Sequence, residues 1–132
     1  CKFHMHWFIK QTSGSTDDHE NFMKLIQTGD LEKVFMYLRK NDSEKVLNSV
    51  EQNSKRSPLH IACKNGHLHL VEFLLNKGAN IEARDKLLKT PLHYACEYGH
   101  GLVVKCLMDK NADPFERDNC GRTALHYAVY SG

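Results

Sequence analysis

No apolar run in the sequence approaches the ~20 residues that a membrane-spanning helix needs, and residues 1–11 lack the apolar core and small-residue cleavage site of a secretory signal. Neither a membrane segment nor export is expected. Charge of one sign is also scarce. The 18 basic and 16 acidic side chains are mixed along the chain and leave a formal charge of +2, so there is no long-range basic field of the kind that draws nucleic acid. None of the cysteines Cys1, Cys63, Cys96, Cys106 and Cys120 forms a CxxC pair, and their odd number does not suit a closed disulfide framework. Reduced thiols in the cytoplasm or nucleus are expected. A glycine-rich phosphate loop, GxSxG and HExxH are all missing, so no catalytic residue and no cofactor is assigned. With 41% hydrophobic and 26% charged residues, the chain reads as an ordinary soluble domain.

What the chain has instead is a period. Ser57-Pro58-Leu59-His60-Ile61-Ala62-Cys63 recurs as Thr90-Pro91-Leu92-His93-Tyr94-Ala95-Cys96 and again as Thr123-Ala124-Leu125-His126-Tyr127-Ala128-Val129, 33 residues apart each time. Gly66, Gly99 and Gly132 keep the same register, as do His67 and His100, Leu74 and Leu107, Ala79 and Ala112, Asp85 and Asp118. A fixed period of this length means stacked units of one supersecondary type. Within each unit Ser57 or Thr90 supplies an N-cap oxygen, and the proline after it sits where a missing N–H costs nothing. Gly66 and Gly99 end that helix. A second helix is expected at 67–76 and 101–110, with apolar stripes Leu70, Val71, Leu74, Leu75 and Val103, Val104, Leu107, Met108. Gly78 and Asn111 offer left-handed stops before a turn-rich connector.

The 33-residue period with TPLHxA resembles the ankyrin repeat. The resemblance implies an all-α repeat solenoid of helix-turn-helix units with projecting β-turn fingers, whose concave face binds a partner protein. It covers residues 52–84 and 85–117 as two units and 118–132 as a truncated one. Aligning Gly29 with Gly66 extends it to a divergent capping repeat at 17–51, with Phe22 in the place of Leu59 and Leu25 in that of Ala62. Asp17 and Glu20 are read there as a capping box, and the longer connector at 41–51 as containing a short helix. Residues 1–16 are an unassigned segment followed by linker composition. Because Gly132 falls where the fourth unit's first helix should stop, the parent polypeptide is expected to continue. Lys55 and Leu88 replace the usual finger glycine, which Gly121 keeps, so finger shapes are expected to differ.

Nine histidines invite a metal-site reading, but His60, His93 and His126 stand where the family's histidine ties neighbouring loops, and no metal ligand is assigned. Cys1, His4 and His6 are the weaker alternative. Cys63 and Cys96 are read as packing residues, not nucleophiles. Glu82 and Phe115 stand where the family's hydroxylated asparagine lies, so no such modification is expected. The family's partner contacts come from finger tips and first-helix ends. Transferred position by position, they point to Arg56, Lys64, Lys86, Leu87, Lys89, Glu97, Tyr98, Arg122 and Tyr130, rich in the residue types of interface hot spots. The basic excess favours an acidic partner segment. The expected function is a scaffold or adaptor module, not an enzyme; the alternative is a substrate-recruiting region of a larger enzyme. Nothing in the sequence fixes the oligomeric state.

Overall fold

A computed structural model describes the backbone of residues 14–131 and the side chains of 20–129. Cys1, His4 and His6 lie outside the described residues, as does the side chain of Tyr130. Eight helices and no strand occur among the described residues: α1 Gly14–Thr28, α2 Leu31–Lys40, α3 Ser43–Leu47, α4 Pro58–Asn65, α5 Leu68–Asn76, α6 Pro91–Glu97, α7 Gly101–Asp109 and α8 Ala124–Ser131. Helices α1, α4, α6 and α8 pack in a row, and α5 packs on α7 in a second layer behind them. None is long and apolar enough to cross a membrane.

Each first helix is started by reciprocal capping. Ser57 Oγ accepts the His60 amide at 3.3 Å while His60 Nδ1 accepts the Ser57 amide at 3.0 Å. Thr90 and His93 repeat this at 3.4 and 2.9 Å. Two of the four orphan N-terminal donors are met within a single turn, which is how a helix of seven or eight residues holds its start. The first helix of the opening pair departs from expectation. α1 is already helical at Gly14, so Asp17 lies inside it and does not cap it. Once a first turn exists, adding a residue costs far less than nucleating afresh, and residues 14–16 join the helix despite their linker composition. α2 is capped by Asp30, whose carboxylate accepts the Lys33 amide at 3.2 Å.

The core runs continuously through the stack and includes Phe22, Ile26, Val34, Leu59, Leu70, Leu74, Leu92, Val103 and Leu107. Each fully buried side chain of this kind contributes about 1.5–3 kcal/mol. Met108, expected in the buried stripe of α7, is 42% exposed, because it lies on the flank of that helix beyond the contact with α5. At the last unit Leu125 is 69% exposed, whereas its counterparts Leu59 and Leu92 are covered by the helix that follows.

Two glycines permit close approach between units. The His67 ring lies over Gly29 and the His100 ring over Gly66, so that a Cβ on Gly66 would stand 2.5 Å from His100 Nδ1. From there His67 Nε2–H donates to Gln27 O at 2.9 Å and His100 Nε2–H to Lys64 O at 2.8 Å. Each second helix is thereby stitched to the first helix of the preceding unit.

Candidate functional site

The fingers are built on one carboxylate each. Asp85 Oδ1 accepts the amides of Leu87 and Lys89, both at 2.9 Å, and Asp118 Oδ1 accepts those of Cys120 and Arg122, both at 2.9 Å. The other oxygen of each accepts a phenol proton, from Tyr94 for Asp85 and from Tyr127 for Asp118. Both carboxylates are buried and fully partnered, as a charge removed from water must be. Burial, followed by the Asp85 hydrogen bond, pushes the Tyr94 phenol well above its ordinary pKa. Burial raises the Asp118 carboxyl, but the Tyr127 phenol and the two amides outweigh it and hold it below the usual range.

Consecutive fingers also join through their backbones. Lys86 N–H donates to Ser54 O at 2.8 Å and Asn119 N–H to Leu87 O at 2.9 Å. Behind them His60 Nε2–H donates to Lys89 O at 2.8 Å, and His93 Nε2–H to Arg122 O at 3.0 Å. In each case Nδ1 accepts an amide proton, which fixes the proton on Nε2. The histidines therefore clamp each first helix to the next unit's finger.

The expected divergence of finger shape is corrected by the backbone. Lys55 (φ 61°) and Leu88 (φ 60°) take the same left-handed conformation as Gly121 (φ 76°). In the second finger the reason is visible: Asp85 ties the amides on both sides of Leu88, and those bonds outweigh roughly 1–2 kcal/mol of left-handed strain.

These restraints carry the side chains singled out from the sequence. Arg56, Lys89 and Arg122 occupy one register, each immediately before a first-helix cap. Arg56 Nε–H donates to the Tyr94 hydroxyl at 3.2 Å, with its guanidinium 5.4 Å from the ring centroid. Lys89 Nζ lies 5.2 Å from the Tyr94 ring and 4.9 Å from the Tyr127 ring, and Arg122 stands 5.9 Å from Tyr127. The result is an alternating row of cations and phenol rings across three units. Lys89 is paired with Glu97 at 3.0 Å, its side chain only 12% exposed. Burial disfavours its charge, yet the Glu97 bond prevails and holds the ammonium above its ordinary pKa.

Lys64 lies 5.6 Å from the Tyr98 ring, which stacks on Tyr94 at 6.5 Å. Tyr98 and Leu87 are 47% and 44% exposed, and Lys86 and Arg122 are exposed. The structure thus brings Arg56, Lys64, Lys89, Glu97, Tyr98 and Arg122 together, with Lys86 and Leu87 on the finger beside them. Sequence reasoning missed Tyr94, Tyr127, Asp85 and Asp118 as organisers of this face.

The family profile "Ankyrin repeats (3 copies)" matches residues 22–118 and 86–132. The chain belongs to the ankyrin-repeat family. Similar stretches occur in an ankyrin repeat and KH domain-containing protein of Caenorhabditis briggsae, 51% identical over 41 residues, which cover 31% of this chain and 2% of that protein. The related protein mask-1 of Caenorhabditis elegans is 44% identical over 48 residues, covering 36% and 2%. The protein mask of Drosophila melanogaster is 48% identical over 40 residues, covering 30% and 1%. This ankyrin chain therefore spans about 2% or less of the length of these curated relatives.

Ankyrin repeats are generally protein-interaction modules, and the chemistry of this one accords with that. Cys63 and Cys96 are buried, and burial pushes both thiols up, away from the thiolate a nucleophile requires. His60 and His93 use both ring nitrogens on backbone groups. No grouping of three His, Cys, Asp or Glu side chains suited to a metal ion occurs among the described residues.

Proposed function

We propose that this ankyrin chain binds another protein along its concave face, formed by the fingers and the ends of the first helices. One observation carries this reading. Finger tips are ordinarily mobile, yet here each is fixed by a buried carboxylate, a phenol and a histidine bond, while Leu87, Tyr98, Lys86 and Arg122 are left exposed beside one another. A face ordered before a partner arrives loses little conformational entropy on binding, and Tyr and Arg are the residue types that hot spots favour.

The test is affinity capture from cell extract with mass spectrometry. The baits are the wild-type chain and a Lys86→Glu, Tyr98→Ala, Arg122→Glu variant with unchanged far-UV circular dichroism. Lys89 is left intact, because its bond to Glu97 belongs to the fold. Proteins lost selectively from the variant are expected. Identical sets from both baits would place the contact surface elsewhere.

A further inference from the structure

The row of cations sets a spacing. Through the Tyr94 ring, Arg56 and Lys89 are separated by arms of 5.4 and 5.2 Å, and through Tyr127, Lys89 and Arg122 by arms of 4.9 and 5.9 Å. Each step is thus on the order of 10 Å, the distance between packed helices. Arg56 and Arg122 lie up to about 20 Å apart, which an extended peptide covers in about six residues at 3.3–3.6 Å each.

The three cations are not equivalent. Lys89 is neutralised by Glu97 at 3.0 Å and nearly covered. Asp85 and Asp118 are buried and saturated by their finger amides and phenols, and Glu51 accepts from Ser54 Oγ. What faces outward is a cation at each end, Arg56 and Arg122, with a paired lysine and the phenol rings between them.

Resting on the protein-binding reading, we propose that this face recognises an extended peptide with two carboxylates about six residues apart, one on Arg56 and one on Arg122, spanning an uncharged middle over Tyr94 and Tyr98. Guanidinium suits carboxylate at each end because its planar donors make paired, charge-assisted bonds. The middle of the peptide meets aromatic rings and a compensated ion pair, where a third carboxylate would face Glu97 and be repelled. A nucleic-acid strand fits less well, since its closely and evenly spaced phosphates would set charge against Glu97.

Fluorescence anisotropy with dye-labelled peptides of one composition tests this. The acidic pair is placed either six residues apart or adjacent, each titrated with the whole chain. The spaced peptide is expected to bind about three- to fivefold more tightly, the worth of one exposed ion pair, and Arg56→Gln or Arg122→Gln should each abolish the preference. A peptide with a third acid midway gains nothing on the wild type but gains on Glu97→Gln, where Lys89 is released. That arm leaves both arginines and their tyrosine contacts untouched. Equal binding of spaced and adjacent peptides, or a single-stranded oligonucleotide outcompeting both, overturns the proposal. The capture experiment above stands separately: partners lost on Tyr98→Ala alone but kept by both arginine variants would uphold the concave face while removing the acidic pair from it.

Discussion

Replacing Tyr94 by phenylalanine isolates the bond that orders the second finger. The ring stays, with its edge-to-face contact on His60 at 5.6 Å and the Lys89 ammonium at 5.2 Å; only the hydroxyl that donates to Asp85 and accepts from Arg56 is removed. A hydrogen bond to a charged group contributes about 1.5–3 kcal/mol net. Asp85 keeps the amides of Leu87 and Lys89, and the half-buried Arg56 can turn to water, so the lower part of that range applies, about 1.5–2 kcal/mol. For a chain of this length that lowers Tm by roughly 6–8 °C, read from ellipticity at 222 nm and from the urea midpoint. Asp85→Ala costs more, about 3–4 kcal/mol, since it strands two amides as well as the phenol. Because the two changes delete one shared bond, the double variant should fall short of their sum by about 1.5 kcal/mol. Additivity within about 0.5 kcal/mol would mean that phenol and carboxylate are not joined in solution, and the account of the finger would fail.

Four further outcomes follow from the same geometry. Burial holds the His60 imidazole below its ordinary pKa, so from about pH 6.5 downward the unfolded chain takes up a proton that the folded chain refuses. Stability present near pH 7.5 is therefore lost toward pH 5.5, and urea midpoints should show a pH slope in the wild type that is reduced in His60→Gln; equal slopes would exclude His60 as its source. Gly66→Ala and Gly99→Ala both force a side chain into left-handed backbone (φ 74° and 72°), but only the first meets a ring. Gly66→Ala should cost at least about 1 kcal/mol more, the worth of the displaced His100 bond. Lys55→Gly relieves left-handed strain at an exposed site and should stabilise the chain by about 0.5–1 kcal/mol, measurable as a higher urea midpoint. Alkylation mapped by mass spectrometry should label the exposed Cys120 in the native chain and the buried Cys63 and Cys96 only on unfolding; equal rates would contradict their burial.

The helices were legible because their signals are local. Ser57-Pro58 and Thr90-Pro91 start them, Gly66, Gly78, Gly99 and Asn111 stop them in left-handed backbone, and the 33-residue register shows which glycine belongs to which unit. The fingers were less legible because a left-handed turn is usually announced by glycine, and here a side chain nine residues distant does that work. A signal existed all the same. Asp85 and Asp118 recur in register with Tyr94 and Tyr127, and where the first complete unit has Gln52 it has Ile61 in place of the tyrosine. Acid and phenol are present together or absent together, as partners would be.

Charge on the binding face was the hardest feature to read, and the reason is general. Counted along the sequence, Arg56, Lys64, Lys86, Lys89 and Arg122 stand against Glu97 alone and suggest a uniformly basic strip. Folding redistributes that charge: Glu97 takes Lys89, and the rings of Tyr94, Tyr98 and Tyr127 take up the faces of Arg56, Lys64 and Arg122. A cation lying on a phenol ring still carries its full charge, whereas one bonded to a carboxylate at 3.0 Å presents almost none to a partner. The strip thus becomes two separated positive ends around a neutral aromatic centre. Such a pattern selects a peptide by the spacing of its acids, while a uniform strip would select only by their number.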